Sequence, residues 1–169
     1  VIPDSVTSIG SYAFYDCVGL TGDLVIPDGV TTIGSGAFGG CTGFNGTLTI
    51  GNSVTTIGSY AFYYCFGLTG SLVIPDSVTS IGNYAFTFCS GLDGTLTIGN
   101  SVTTIGRSAF YRCSNFTGTL TIPDSVTSIA NYAFRDCTGF TSLTIGNSVT
   151  SIGGYAFYRC NGFTGTLTI

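Results

Sequence analysis

The sequence contains no histidine, lysine, glutamate, tryptophan or methionine, and only 7 % of its 169 residues are charged. Without histidine, the chain cannot form a Ser-His-Asp triad, a Cys-His pair or an imidazole metal site. Without lysine, it can form neither a Schiff base nor the phosphate-binding lysine of a P-loop. These absences leave too few titratable groups for an active site, so we expect no enzyme and no bound metal or cofactor.

Charge and hydropathy exclude two further classes of partner. Four arginines and eight aspartates give a net charge of −4, whereas a nucleic-acid partner requires a basic face that neutralises phosphates. No apolar run approaches the ~18 residues of a membrane-spanning helix. The sequence therefore predicts neither nucleic-acid binding nor a membrane span.

What the sequence does contain is glycine, with 26 residues, and a hydrophobic fraction of 44 %, which is enough to form a buried core. Its main feature is a repeat of 24 residues, shortened to 23 in one copy. The copies begin at residues 1, 25, 49, 73, 97, 121 and 144. Because no linker interrupts them, we interpret residues 1–169 as one repeat domain. We also expect this domain to be a segment of a longer protein.

Each copy has the same local pattern. Leu24, Val25 and Ile26 alternate as in a strand, and a Pro-Asp or Gly-Asn turn follows. We predict a short extended piece at residues 6–9 and one or two helical turns at residues 11–17. Glycine or asparagine at the position of Gly19 predicts a left-handed residue, and the glycine at position 22 predicts a bulge before the strand.

A unit this short cannot bury its own apolar face, but stacked units turn each inward position into a continuous ladder. The sequence therefore predicts a repeat solenoid of about seven 23–24-residue coils, mostly β, with one parallel β-sheet and short helical turns on the opposite face. The phenylalanine ladder comprises Phe14, Phe38, Phe62, Phe86, Phe110, Phe134 and Phe157.

One cysteine occupies the same position in every copy: Cys17, Cys41, Cys65, Cys89, Cys113, Cys137 and Cys160. Stacking would bring neighbouring Cα atoms about 5 Å apart, within disulfide range. However, the side chains should point in parallel, their number is odd, and their spacing lacks a C-x-x-C metal clip. We expect buried thiols that pack as small hydrophobic groups.

Residues 140–145 read Phe-Thr-Ser-Leu-Thr-Ile, and residues 2–17 read Ile-Pro-Asp-Ser-Val-Thr-Ser-Ile-Gly-Ser-Tyr-Ala-Phe-Tyr-Asp-Cys. Together they follow L-x-x-L-x-I-P-x-x-V-x-x-I-G-x-x-A-F-x-x-C, and the repeat resembles the BspA-like class of leucine-rich repeats. The resemblance implies a right-handed solenoid on a cell-surface or secreted protein of bacteria or protists. It also implies adhesion, with host or extracellular-matrix proteins as partners, and it carries no catalytic motif.

The positions that vary most between copies lie on the predicted helical turn and just after it. We predict a protein-binding surface there, because exposed aromatic patches favour protein contact. Its residues are Tyr63, Tyr64, Phe66, Phe88, Tyr111, Arg112, Arg135, Tyr158 and Arg159. Drift at unconstrained positions is the alternative interpretation. We interpret a neighbouring aromatic row as local packing; it comprises Tyr12, Tyr60, Tyr84, Tyr132 and Tyr155.

Two polar rows have alternative interpretations. Turn carboxylates such as Asp28 and Asp76 alternate with Asn52 and Asn100, which favours Asx-type hydrogen bonds over a calcium site. Thr-x-Thr pairs on the outward strand face resemble those of ice-binding proteins, although β-propensity alone accounts for them. These pairs are Thr47 and Thr49, Thr95 and Thr97, Thr119 and Thr121, and Thr166 and Thr168.

Our leading expectation is a non-enzymatic segment for surface adhesion or protein interaction. A structural spacer or stalk is the alternative, because the near-identity of the coils gives them little variety for recognition. Six of the eight aspartates lie in residues 1–96, and all four arginines lie in residues 97–169, so the two parts carry −6 and +2. This asymmetry predicts end-to-end self-association.

Overall fold

The computed structural model describes residues 1–165, 167 and 168. Two rows of short parallel strands run through the stack, numbered together in chain order. The first row consists of β1 (Ser8–Ile9), β3 (Thr32–Ile33), β5 (Thr56–Ile57), β7 (Ser80–Ile81), β9 (Thr104–Ile105), β11 (Ser128–Ile129) and β13 (Ser151–Ile152). The second consists of β2 (Leu24–Ile26), β4 (Leu48–Ile50), β6 (Leu72–Ile74), β8 (Leu96–Ile98), β10 (Thr119–Ile122), β12 (Ser142–Ile145) and β14 (Leu167–Thr168).

The first row forms one seven-stranded parallel sheet in the order β1-β3-β5-β7-β9-β11-β13. Its register pairs equivalent positions, as in Ile9 with Ile33 and Ile33 with Ile57. The expected repeat solenoid with a parallel sheet is confirmed. Its continuous ladder, however, comes from the piece predicted only as extended at residues 6–9.

The second row, which the sequence marks as the main strand, is divided into β2-β4, β6-β8 and β10-β12-β14. The breaks fall where the following coil carries proline. In the last full coil, the N–H of Gly146 donates to the carbonyl of Ile122 at 2.8 Å. Pro75 and Pro123 stand at the equivalent position and have no N–H to donate, so each break lacks that bond.

The core lies between the two rows and the turns. Equivalent phenylalanine rings stack coil on coil, with centroids 5.1–5.6 Å apart and interplanar angles of 2–11°. Isoleucine, valine, alanine and cysteine positions form parallel ladders beside them. Every strand of three or more residues alternates inward and outward positions, as in the buried–exposed–buried pattern of Leu24–Ile26.

The helical turns expected at residues 11–17 are not helices, and the described part of the chain contains none. Two positions of each turn have positive φ, between 53° and 75°. One set is Tyr12, Gly36, Tyr60, Tyr84, Ser108, Tyr132 and Tyr155, and the other is Asp16, Gly40, Tyr64, Phe88, Arg112, Asp136 and Arg159. The 3- and 4-residue spacing of apolar positions is therefore produced by a backbone that alternates between right- and left-handed regions.

Hydrogen bonds between coils explain this backbone. The N–H groups of Tyr12, Phe14 and Asp16 donate to the next coil's carbonyls, at 2.7–2.8 Å, and the same three bonds recur at each junction. The intervening N–H groups close i→i−3 turns, as from Ala13 to Gly10. A left-handed residue costs about 1–2 kcal/mol, and the inter-coil bonds offset that cost by satisfying buried backbone groups.

The left-handed residue predicted at position 19 is wrong. Gly43 and Gly67 do not have positive φ. A Cβ atom at either glycine would overlap a carbonyl oxygen of the preceding coil, that of Val18 or Phe44. Close approach of the coils therefore selects glycine there. At position 22 the backbone is left-handed in Gly22 and its counterparts in alternate coils, with φ of 75–79°, each just before a proline-bearing coil.

Candidate functional site

The aromatic–arginine surface consists of the residues predicted to bind protein: Tyr63, Tyr64, Phe66, Phe88, Tyr111, Arg112, Arg135, Tyr158 and Arg159. It lies on the row of left-handed turns, over the five coils that begin at residue 49. Four of its members, Tyr64, Phe88, Arg112 and Arg159, have positive φ. At these positions the backbone aims each side chain away from the core, which is why a large side chain is accommodated there.

Four aromatic rings of this surface are in continuous contact. The rings of Tyr63 and Tyr64 meet edge to face at 4.5 Å between centroids. Tyr64 continues to Phe88 in the next coil at 4.5 Å, and Phe88 meets Tyr111 at 5.5 Å. Edge-to-face contact at such distances contributes about 0.5–1.5 kcal/mol beyond area burial, so the cluster is an ordered platform.

The arginines extend the platform along the stack. The Cζ of Arg112 lies 5.3 Å from the centroid of Phe88 and 5.5 Å from that of Tyr111. Arg135 bridges Tyr111 at 5.6 Å and Tyr158 at 5.2 Å. Such cation–π contacts contribute about 0.5–1 kcal/mol each at exposed sites. They restrict the rotamers of long side chains that a binding partner would otherwise have to immobilise.

At one end of the surface Tyr158 and Arg159 form a pair, and Phe66 is separate from the other predicted residues. Arg159 lies over Tyr158, 5.3 Å from its centroid. Phe66 is 48 % exposed and makes no aromatic or cation–π contact within the described residues. The structure therefore brings eight of the nine predicted residues into one contact series and leaves Phe66 beside it.

Arg112 and Arg159 share one repeat position with Asp136, and the sequence therefore predicts ion pairs between coils for this carboxylate. Its Oδ2 lies 3.8 Å from Nε of Arg112 and 3.4 Å from Nε of Arg135. The closer ion pair lacks hydrogen-bond alignment, and neither of its two atoms has another hydrogen-bond partner among the described residues. The carboxylate of Asp136 thus attracts both guanidinium groups and holds them near each other. The contact with Arg112 is the one that the shared repeat position predicts, whereas the contact with the adjacent Arg135 was not predicted.

Burial changes the acidity of groups on and under this surface. Burial raises the pKa of Tyr63, and the neighbouring Tyr64 adds to the shift. In the thiol row, burial raises the pKa of Cys41 and Cys160 to about 11 and that of Cys113 to about 12. All seven cysteines are free, and six are buried. The six buried thiols remain protonated at neutral pH and lack the thiolate character that nucleophilic or metal-binding cysteines need.

The turn carboxylates are engaged with the backbone. Oδ1 of Asp28 accepts the N–H of Asn52 at 2.7 Å, and Asp76 and Asp124 repeat this bond to Asn100 and Asn147. Each carboxylate therefore joins its coil to the next through a hydrogen bond. Among the described residues, no group of three or more cysteine and aspartate side chains is arranged to hold a metal ion.

The outward threonine face lines a groove of about 1050 Å³. Thr97, Thr121 and Thr144 line this groove together with Asp76 and Asn100. Thr166, a member of the last predicted threonine pair, and Ile169 lie outside the described residues. Across those residues, no helix is long and apolar enough to cross a membrane.

Comparison with known proteins agrees with this geometry. A family profile described as "BspA type Leucine rich repeat region" matches six copies of its repeat, over residues 1–117 and 55–168. A search of curated protein sequences found no match.

Two solved structures share the fold. The T. pallidum leucine-rich repeat protein TpLRR is 31 % identical, with a TM-score of 0.81 over 94 % of this chain and 72 % of its own. The pneumococcal vaccine antigen PcpA is 20 % identical, with a TM-score of 0.56 over 94 % of this chain and 47 % of its own. The second likeness shows the fold alone. By its repeat, its coil geometry and its family profile, the chain belongs to the BspA-type leucine-rich repeat family.

Proposed function

We propose that this chain is a non-enzymatic, protein-binding repeat segment of a bacterial cell-surface or secreted protein, and that it binds through the aromatic–arginine surface. The observation that carries the proposal is the unbroken series of ring and guanidinium contacts from Tyr63 to Arg159. Tyrosine and arginine are the residue types that contribute most at protein interfaces. Adhesion to host or extracellular-matrix proteins is the form of binding that we expect.

The side chains of this surface hold one another in place before binding, which favours a role in recognition. Its side chains are partly ordered before any partner arrives, because rings and guanidinium groups hold one another in place. A preordered surface loses less conformational entropy on binding, and it therefore retains more of the gross interaction energy as affinity. The positive charge of residues 97–169 would favour partners with acidic patches.

The sequence also left two other functions open, ice binding and a structural spacer. Ice binding needs a flat hydroxyl array, and the groove along the threonine face is concave. A structural spacer needs only the stacked core and makes no use of the exposed rings at Tyr64, Phe66 and Tyr158. Protein binding accounts for those rings, and the spacer remains the alternative outcome of the test.

The test is solid-phase binding of residues 1–169 to a panel of extracellular-matrix and serum proteins. A Tyr64→Ser/Phe88→Ser variant removes the centre of the contact series. A Tyr12→Ser/Tyr15→Ser variant is the matched control, because it removes two exposed rings in edge contact at 5.6 Å outside the surface. Saturable binding that is lost only in the first variant supports the proposal. Equal loss in both variants, or no binding by the unsubstituted chain, would overturn it, and the latter result favours the spacer.

A further inference from the structure

The tyrosine row at the first left-handed position is interrupted at Gly36 and, nearer the middle of the stack, at Ser108. Tyr60 and Tyr84 stack at 4.8 Å between centroids, and Tyr132 and Tyr155 stack at 5.5 Å. Between these pairs, Ser108 stands where a tyrosine ring would lie. Its φ of 53° is close to the 57° and 63° of Tyr84 and Tyr132, so the backbone continues through the gap unchanged.

A second ring is missing beside the first. In three coils the row tyrosine meets a tyrosine three residues later, edge to face at 5.4–5.6 Å. After Tyr84 that partner is replaced by Thr87. Thr87 and Ser108 are the two polar residues that are buried among those described. The hydroxyl of Thr87 donates to the carbonyl of Ser108, so both of these buried groups have a hydrogen-bond partner.

At the ring missing from Ser108 there is a cavity of about 260 Å³, lined by Tyr84, Arg107, Ser108, Tyr111, Tyr132 and Arg135. Tyr84 offers it a ring face, since its other face is covered by Tyr60. On the opposite wall, the Cζ atoms of Arg107 and Arg135 lie 5.4 and 5.6 Å from the centroid of Tyr132. One wall is thus aromatic and the other is cationic.

The dimensions fit one added layer. Tyr84 and Tyr132 are two coils apart, which is about 10 Å at the ordinary strand spacing. A ring at the Ser108 position would lie between Tyr84 and Tyr132, at the 4.8–5.5 Å centroid spacing of the stacked pairs in this row. Gly36 interrupts the same row without leaving such a gap, because a Cβ atom at Gly36 would already touch the ring of Tyr12.

We propose that this cavity binds a phenyl ring carrying an oxyanion, such as a sulfated or phosphorylated tyrosine of a protein partner. The ring would stack on Tyr84, and the anion would meet the N–H groups of Arg107 and Arg135, which pair well with sulfate, phosphate and carboxylate oxygens. Within the described residues, Arg107 forms no ion pair, so its charge is available to a ligand. This inference deepens the proposed function and rests on it for the protein nature of the partner.

The test uses residues 1–169 and small probes, so that it does not depend on finding a partner protein. The probes are N-acetyltyrosine amide and its O-sulfate and O-phosphate esters, titrated by calorimetry and by NMR. We expect both esters to bind with a dissociation constant on the order of 1 mM, and the unmodified amide to bind at least tenfold more weakly. A difference between the esters identifies the source of the anion.

Three variants locate the binding. Ser108→Tyr fills the cavity with the ring that the neighbouring coils carry, and it should abolish ester binding while the protein remains folded by circular dichroism. Arg107→Asn installs the residue found at Asn83 and Asn131, and it should weaken ester binding about tenfold. Tyr12→Ser removes an exposed ring of the same row far from the cavity and outside the aromatic–arginine surface, and it should leave ester binding unchanged.

Several outcomes would overturn this proposal. They are equal binding of esters and amide, retained binding in Ser108→Tyr, equal weakening in Arg107→Asn and Tyr12→Ser, or no saturable binding of either ester. Failure of the proposed function has a different signature, since it requires that no protein partner binds while the esters are still bound through Arg107.

Discussion

The thiol of Cys113 donates a hydrogen bond to the backbone carbonyl of Phe86 in the preceding coil, with Sγ 3.0 Å from the oxygen. Cys41, Cys65, Cys89, Cys137 and Cys160 make the same bond, at 3.0–3.1 Å, to the corresponding phenylalanines. The cysteine row is therefore a series of inter-coil hydrogen bonds as well as a packing ladder. Serine would make the bond but lose the apolar packing, and alanine would lose the bond.

The thiol row predicts a strongly uneven reaction with iodoacetamide. In the chain of residues 1–169, Cys17 is half-buried and its thiol donates no hydrogen bond among the described residues, whereas the other six thiols are buried. We expect native protein at pH 8 to be alkylated first at Cys17, with the others modified only after unfolding. Mass spectrometry of peptides from a time course measures this. Equal rates at Cys17 and Cys113 would contradict the burial.

The same row predicts loss of stability at alkaline pH. The pKa of the Cys113 thiol is about 12 in the folded chain, against 9.0 as its ordinary value. The unfolded chain therefore loses this proton above pH 9 while the folded chain keeps it. Stability is complete below pH 9 and falls towards pH 12, by about 1.4 kcal/mol per pH unit for this group. Urea unfolding of the unsubstituted protein and of Cys113→Ala at pH 8 and pH 10 measures it, and equal pH slopes would argue against this account.

The phenylalanine ladder predicts a large cost for a single truncation. Phe110 is fully buried and stacks on Phe86 and Phe134 at 5.3 and 5.1 Å. Phe110→Ala should lower the free energy of unfolding by about 3–5 kcal/mol, because it removes a ring and leaves a cavity. Phe66→Ala, at an exposed ring, is the control, with an expected change within about 0.5 kcal/mol. Similar costs at the two positions in urea unfolding would contradict the core assignment.

The left-handed turns predict a stabilising glycine. Asp16 has a φ of 55° and an exposed side chain that accepts no hydrogen bond within the described residues. Asp16→Gly should be about 1 kcal/mol more stable than Asp16→Ala, since both lose the carboxylate and only glycine adopts this conformation without strain. Chemical denaturation of the pair measures the difference. If the alanine variant were as stable, the turn would not be strained at this position.

End-to-end association of residues 1–169 remains a prediction. Ile2, Val6 and Phe14 are only partly covered at one end of the stack, beside a mostly apolar cavity of about 590 Å³. The carbonyls of Ser11 and Ala13 occupy the positions whose counterparts in later coils accept inter-coil bonds. Light scattering should show a mass that rises with concentration, and an Ile2→Asp variant should reduce it. A constant monomer mass up to the solubility limit would refute the prediction.

Much of the fold could be predicted because every coil repeats the same pattern of apolar and polar residues. The inward alternation of Leu24 and Ile26 and the ladder of Phe38 and Phe62 follow from period and polarity alone. The turn conformation could not be predicted, because the spacing of Ala13, Phe14 and Cys17 suits a helix equally well. What decides against a helix is the set of bonds from Tyr12, Phe14 and Asp16 to the next coil, which a single repeat does not display. Glycine at positions 36 and 40 was the available hint.

The residues of the site were predicted from the sequence, but their contacts with one another were not. Variation between coils identified Tyr64, Phe88 and Arg112, but their contacts depend on the left-handed backbone that the sequence pattern conceals. The cavity beside Ser108 was missed for a related reason. A serine in a tyrosine row resembles ordinary drift until its neighbours are known to stack, and the stacking of Tyr132 on Tyr155 appears only in three dimensions.

The one-directional bonds along the turn row have an electrical consequence. In each coil the peptide groups at Tyr12, Phe14 and Asp16, and at their counterparts, aim N–H towards the following coil and C=O towards the preceding one. Their dipoles add as those of a helix do, which places positive potential at the carboxyl-terminal end of the stack and negative potential at the amino-terminal end. The asymmetry of −6 and +2 in formal charge has the same sense. Bonds of the first strand row run the other way, as from the N–H of Thr31 to the carbonyl of Thr7, so this polarity belongs to the turn face. It is this face, together with the formal charges, that orients an approaching charged molecule along the axis before contact.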